Sequence, residues 1–516
     1  MSAVKRVVSG TLASWLRIAV TIISQVIAVP VYLNYWSVET YGAWVLIQSI
    51  ISFLTIFDIA HHNYLGNEFL KLGKKKTEEI GTVLFTGLVV ALILSILIFL
   101  AFSGLILSGT ISQWAGIEHV KSQAFEVSLL ITSATWIFTI TFTGLLGRAL
   151  YPFGYYPLCA WSGVLFALAT TTSSIAAVYI GFGLIGTTVV TCTVTLICHS
   201  ILSVMLFRLA KKENLITKKL AIRMGFSRFL ASLGIGAQSG LDILRQQGVR
   251  FILLPLSGMA QMIAFSTMRT GANLAQQGIG TITGPLMPEL MGYLTNRDQP
   301  RTESAFAVIW LMLCAVLVPA VLVIQFIAPV LFPMWTQGKI AFNPVLFALL
   351  SLSVLVSALA QPPIAVVNGN NLVRQQFIIS AISASITVGG IYLMVPRMGI
   401  TGAALALLLG EIITLASYVY AAKKWLVKAE MRWPNSAFAN ASLSIAVAAF
   451  GMGSMIYFPN YGDYCLILAL TAQLLVIAAY WSKLPYIARQ RAASQAVRIL
   501  PALLRKRFHK SISHVN

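Results

Sequence analysis

The sequence is poor in charge, and poorest in acid. Only 10% of its 516 residues are Asp, Glu, Lys or Arg, with 15 acidic against 36 basic, whereas a soluble domain carries about a quarter. So little charge, joined to 58% hydrophobic residues and a mean hydropathy of +0.83, excludes both an ordinary soluble domain and a disordered chain. Cysteine is scarce as well. Cys159, Cys192, Cys198, Cys314 and Cys465 fall mostly in apolar runs without paired spacing, which argues for packing roles and against a disulfide framework or a metal site. There is no Gly-x-x-x-x-Gly-Lys-Ser/Thr loop to cradle nucleotide phosphates. No nucleophile elbow or zinc signature stands out either, so an enzyme is not expected and no cofactor is implied.

What the sequence does have is long apolar runs. About 20 such residues cross roughly 30 Å of hydrocarbon at 1.5 Å per residue. Fourteen runs qualify, near 10–34, 41–63, 80–107, 122–147, 157–180, 184–207, 230–254, 258–282, 303–333, 341–367, 375–396, 399–422, 438–458 and 462–482. Only helices and closed barrels satisfy their backbone groups in lipid, and these runs are too long for barrel strands, so the expected fold is an all-α polytopic membrane protein. The first run follows Lys5 and Arg6 but lacks a small-residue cleavage site, and it reads as an uncleaved span.

The formal net charge of +21 is distributed unevenly. With the N-terminus on one side, 29 of the basic residues fall in the loops and tails of that side, among them "GKKK" at 73–76, seven between 208 and 228 and eight from Lys483 onward. The opposite side holds only Lys121, Lys339 and Arg397. The positive-inside rule then puts both termini in the cytoplasm. The charge therefore does not imply nucleic acid, and no aromatic-rich basic fold accompanies it. "RLAKKENLITKKLAIRMGFSRF" at 208–229 and "PYIARQRAASQAVRILPALLRKRF" at 485–508 alternate basic and apolar residues at helical spacing, as a helix lying on anionic membrane lipids does; solvated positive-inside loops are the plainer reading.

An internal repeat accompanies these patterns. "GFGLIGTTVV" at 181–190 aligns with "RMGITGAALA" at 397–406, placing Gly183 and Gly186 over Gly399 and Gly402. A shift of six helices preserves direction, so the repeat is parallel. The expected organisation is a six-helix lobe over 1–207, an amphipathic linker over 208–229, a second six-helix lobe over 230–422, two further helices over 423–483 and a basic tail over 484–516.

"YLNYWSVETYGAWVLIQSIISFLTIFDIAHHNYL" at 32–65 resembles the first-to-second-helix region of the Wzx-type polysaccharide transporters, a family of the multidrug/oligosaccharidyl-lipid/polysaccharide superfamily. Tyr41 and Gly42 match the start of helix 2, and Asp58 matches an element at its end whose glycine is here Ala60. The resemblance implies two six-helix bundles set as a V, helices 1, 2, 7 and 8 around a central cavity, and a function as a flippase of isoprenoid-pyrophosphate-linked sugars. It also implies a monomer, acting alone or with other polysaccharide assembly proteins.

Four arginines lie within spans: Arg17 on helix 1, Arg245 and Arg250 on helix 7, and Arg269 on helix 8. An arginine at mid-span costs about 2.5 to 3.5 kcal/mol on insertion scales, so such residues usually face a bundle interior or a wet cavity. Guanidinium forks match phosphate oxygens bidentately, which makes these four the candidates to bind the pyrophosphate. Arg245 and Arg269 lie about 14 and 16 Å inward from the outer ends of their helices. Arg17 and Arg250 are near enough to span ends to snorkel, and Arg245 has Asp242 one turn away as a structural partner. Asp58, Glu126, Asp242 and Glu411 are candidates to hold a coupling proton or Na⁺, or to pair locally. His61 and His62 read as interfacial. Two rivals remain: an ion-coupled multidrug/cation antiporter, which would present acids instead of arginines, and a membrane-embedded polymerase or glycosyltransferase, which would need larger loops.

Overall fold

The computed structural model describes residues 3–116, 119–216, 219–370, 372–484 and 489. The basic stretch at 485–508 otherwise lies outside them. Within the described residues the chain is all helical: α1 (Ala3–Tyr35), α2 (Val38–Leu72), α3 (Thr77–Leu107), α4 (Thr110–Trp114), α5 (His119–Ala149), α6 (Tyr156–Tyr179), α7 (Leu184–Lys212), α8 (Ile222–Thr295), α9 (Gln299–Met312), α10 (Val318–Trp335), α11 (Pro344–Leu359), α12 (Gln361–Gly369), α13 (Val373–Met398), α14 (Ile400–Lys428), α15 (Asn435–Tyr457) and α16 (Gly462–Lys483).

Eleven helices among the described residues are long and apolar enough to cross a membrane, and twelve if the bent pair α11–α12 counts as one span. Fourteen spans are compatible with this layout. The 74-residue α8 is interrupted at Gly258 (φ 82°, ψ 170°), where the sequence places the junction of its seventh and eighth runs. The tenth run is not straight: α11 and α12 meet at 45°, because Pro362 and Pro363 cannot donate the helix bonds their positions require.

The 208–229 stretch does not form one helix. α7 stops at Lys212, Asn214 takes a left-handed φ of 56°, and α8 starts at Ile222. The chain between them is fastened to α3, with Lys219 paired to Glu78 and the Ala221 amide donating to Thr86 Oγ1 at 3.2 Å.

The helices group into two compact units, one of Met1–Thr270, Val330–Phe342 and Ser380–Leu407, the other of Gly271–Pro329, Asn343–Ile379 and Leu408–Asn516. In the first, α1 packs on α6, and α5 packs on α2, α3 and α7. The C-terminal carbonyls of α1, which have no helical partner, are capped from outside the helix: Lys339 Nζ donates to Leu33 O and, at 3.2 Å, to Trp36 O. Trp335 Nε1 donates to Val26 O at 2.8 Å.

Gly183 and Gly399 precede α7 and α14, as the repeat places them. Gly399 turns the chain with φ 59°, and a Cβ on Gly402 would stand 2.7 Å from the backbone carbonyl of Met394. Because backbone cannot rotate aside, Gly402→Ala is expected to cost about 1–3 kcal/mol through overpacking, read as a lower melting temperature of the solubilised protein; an unchanged temperature would mean that α13 and α14 separate freely there.

In the second unit, α15 packs on α16 and α11. Residues Leu313–Leu317 form a single π turn joining α9 to α10. Such a turn releases a carbonyl from the helical ladder, and Gln473 Nε2 donates to Cys314 O at 2.7 Å. All five cysteines are free thiols.

Candidate functional site

The first unit holds an open cavity of about 310 Å³ among α1, α2, α6 and α7. Thr21, Ser24, Gln25, Ala28 and Tyr32 recur at three- and four-residue steps, so α1 lays one stripe along it. α6 lays a second with Ala167, Thr170, Thr171 and Ser174, while Trp44 and Gln48 come from α2 and Thr191 from α7. Nine of these twelve residues carry a hydroxyl or carboxamide, and none carries a formal charge. Polar side chains at membrane depth are costly unless satisfied or hydrated, and they mark substrate or ion pathways.

Several wall hydroxyls donate to their own helix: Thr21 Oγ1 to Arg17 O at 2.8 Å, Thr170 Oγ1 to Phe166 O at 2.7 Å and Ser174 Oγ to Thr171 O at 2.9 Å. Their oxygens keep lone pairs for a guest. Tyr32 OH joins Ser174 Oγ at 2.7 Å. The Tyr32 ring stacks on Trp36 with centroids 5.3 Å apart and meets Trp44 edge-on at 6.1 Å, giving one end of the cavity an aromatic wall.

Arg17 extends the α1 stripe by one turn, being four residues before Thr21. It is exposed, and its Cδ is the nearest atom to a Cβ placed on Gly163 of α6, at 3.7 Å. Gly163 is four residues before Ala167 on the other stripe, so Arg17 stands at the end of the polar cavity nearest the N-terminus. The alternative of a side chain directed to lipid headgroups is compatible with its exposure.

The other three arginines are on α8. Arg250 donates from Nη1 to Ser49 Oγ at 2.9 Å, and Ser49 is itself 1% exposed. It is therefore held against α2, and the snorkelling position is not adopted. The same α2 face packs closely on the later part of α8: a Cβ on Gly42 would collide with Ile263 and Met259, which gives the Tyr-Gly pair a packing reason. Asp242 accepts from Ser380 Oγ at 3.0 Å, and the Arg245 charge acts on it. Arg269 is half-buried, and neither it nor Arg245 is without a partner. Arg245 and Arg269 stand 13 and 11 residues from the Gly258 break, about 20 and 16 Å along their helices.

Among the acids, Glu126 accepts a hydrogen bond from Ser112 Oγ of α4, the local pairing that the sequence leaves open. Glu411 is 9% exposed on α14 and is not unpartnered. The Asp58 side chain lies outside the described residues.

Two features differ from the sequence reading. His61 and His62 are 2% and 1% exposed, not interfacial: His61 meets the Phe229 ring and His62 lies against Gly144 of α5. Arg148, which follows the apolar run at 122–147 and so counts among the loop basic residues of the cytoplasmic side, ends α5 half-buried and donates from Nη2 to Asn63 Oδ1 at 2.7 Å. The polar cavity is not apparent from the sequence, although "TTTSS" at 170–174 and Gln25 and Gln48 interrupt apolar spans.

This is a multi-span membrane fold with a polar cleft in its first unit, and solved transporters share the fold. An inward-facing multidrug resistance MATE family transporter of the MOP superfamily has a TM-score of 0.64 at 14% identity, covering 81% of this chain and 99% of its own. The lipid II flippase MurJ, in an inward closed conformation, has a TM-score of 0.61 at 13% identity, covering 91% and 97%. An outward-facing MATE family transporter of the same superfamily has a TM-score of 0.60 at 15% identity, covering 83% and 96%. The likeness is one of fold. No protein-family model matches the sequence, and no curated protein matches it.

Proposed function

We propose that the protein is a flippase of the bacterial inner membrane that moves an isoprenoid-pyrophosphate-linked oligosaccharide from the cytoplasmic to the periplasmic leaflet for surface polysaccharide synthesis. The observation that carries this reading is the neutral, hydroxyl-lined cavity with Arg17 at its end. A sugar presents O–H donors to acceptor oxygens and a flat face to aromatic rings, while its pyrophosphate takes a guanidinium fork. Arg245, Arg250 and Arg269 supply further positive charge along α8, with Asp242 moderating it. The MurJ flippase and the MATE transporters are alike in sharing this fold, so the preference for the flippase rests on the four intramembrane arginines, which suit an anionic substrate.

The cycle is alternating access. The head enters the wet interior from the cytoplasm while the isoprenoid tail stays in lipid, and a change between inward- and outward-facing states releases it. With the interior negative, each negative charge moving outward gains about 2.3 kcal/mol per 100 mV, so the export step needs no nucleotide. A proton or Na⁺ taken up at Asp58, Glu126, Asp242 or Glu411 is the means by which the carrier would be reset. Both termini lie in the cytoplasm in this reading, the six-plus-six-plus-two helix organisation underlies the two states, and a monomer suffices. The antiporter keeps one observation in its favour: the TM-score of 0.64 is to a multidrug transporter.

In proteoliposomes the protein is expected to equilibrate a fluorescent lipid-linked oligosaccharide between leaflets without ATP, and a strict ATP requirement would contradict the mechanism. The double variant Gln48→Leu, Thr170→Val removes hydrogen-bonding groups worth about 1 kcal/mol each. It should slow the glycosylated substrate about tenfold or more by that measure, while sparing a sugarless isoprenoid pyrophosphate; equal loss for both would remove the cavity from sugar recognition.

A further inference from the structure

A second cavity, of about 400 Å³, opens in the first unit where α3, α5 and α7 approach the α7–α8 connection. Its walls are apolar: Leu84 and Leu88 of α3, Phe142 and Leu146 of α5, Phe207 of α7, and Ile216 of the connection. The floor is closely packed: Leu84 and Leu146 belong to a buried cluster that also takes in Leu215 and Leu206. The lip is exposed, Phe207 by 51% and Ile216 by 45%. From Leu84 to Leu92 the wall is about 12 Å long, within one leaflet of a roughly 30 Å core.

The rim carries the opposite chemistry. Lys211 is one turn beyond Phe207, Lys212 follows it, and both are exposed. Lys219 is three residues beyond Ile216 and pairs with Glu78. All lie on the basic side of the protein, where the "GKKK" loop also stands. An apolar slot one leaflet deep beneath a cluster of ammonium groups matches an acyl chain with a negatively charged head.

We propose that this slot is a specific site for an anionic phospholipid of the leaflet on the basic side, whose acyl chain fills it and whose phosphate is held by Lys211 and Lys212. The bound lipid bridges α3 and the connection between α7 and α8. It thereby adds to the fastening that Thr86 already provides through the Ala221 amide and the close packing of Gly225. The site is independent of the flippase reading, since neither the polar cavity nor the arginines take part.

The full-length protein, delipidated in detergent, should show a saturable rise in melting temperature with dioleoylphosphatidylglycerol and little with dioleoylphosphatidylcholine. Each lysine near a membrane surface contributes about a fivefold gain in affinity for anionic lipid, so Lys211→Glu with Lys212→Glu should weaken the titration about 25-fold or more. Leu88→Trp, which fills the slot, should abolish the rise. Ile216→Asp changes only the exposed lip and guards against a misfolded Leu88 variant, and it should weaken binding while leaving the lipid-free melting temperature unchanged. Equal stabilisation by both lipids would mean unspecific solvation. Stabilisation by inorganic phosphate alone, or a phosphatidylglycerol effect that survives both the lip and the lysine variants, would place binding elsewhere. Any of these three results overturns the proposal.

Discussion

Arg269→Glu is expected to abolish export of surface polysaccharide in cells while the protein still reaches the membrane in normal amount. Arg269 is half-buried on the later part of α8, and no acidic residue lies within a turn of it in the sequence. A charge-assisted hydrogen bond contributes about 1.5–3 kcal/mol, so Arg269→Ala should slow transport about 10- to 150-fold, and reversal of charge more. Arg269→Lys keeps the charge without the fork and should recover part of the rate. The readouts are polysaccharide at the cell surface and protein in the membrane fraction. Normal export by the Glu variant would remove Arg269 from the site, and loss of the protein in all three variants would make it a structural residue.

Trp310→Ala is expected to be the most damaging single truncation of the second unit. Trp310 is 0% exposed and stands among Phe306, Trp433 and Phe438 at centroid distances of 5.6, 5.7 and 5.5 Å. Its Nε1 donates to Leu359 O at 3.0 Å. That carbonyl would ordinarily accept from the amide four residues on, which is Pro363 and has no N–H. The indole thus satisfies the group that the bend between α11 and α12 orphans. Emptying the site costs about 3–5 kcal/mol for the lost packing, and Trp310→Phe, which keeps most of the volume, still costs about 1–3 kcal/mol for the stranded carbonyl. Melting of the solubilised protein should fall in the order wild type, Phe, Ala. A Phe variant as stable as wild type would show that water replaces the indole.

The positions of the helices were legible because apolar length is written directly in the chain. Even the Gly258 break coincides with the gap between two apolar runs. The bend after Leu359 was not inferred, although Pro362 and Pro363 mark it, because uninterrupted hydropathy hides a broken helix when a distant side chain such as Trp310 mends it. Site geometry was harder to read. A helix in lipid is apolar on nearly every side, so its sequence does not say which way a threonine or an arginine points. Arg250 is held by Ser49, about 200 residues away in the chain, and His61 and His62 are covered by helices that sequence spacing alone does not bring near. The hydroxyl run at 170–174 was visible, but it acquired meaning only when α1 placed Thr21, Ser24 and Gln25 opposite it.

Selection of negative substrates by the interior is what separates the flippase from the antiporter. It is tested most directly by measuring, in one batch of proteoliposomes under an imposed electrical potential, the transbilayer movement of a fluorescent isoprenoid-pyrophosphate oligosaccharide beside that of a lipophilic cationic dye. Rapid movement of the anion is expected, faster when the receiving side is positive, and none of the dye above protein-free vesicles. Movement of the dye alone, driven by a proton or Na⁺ gradient, would contradict it and assign the fold here to cation export.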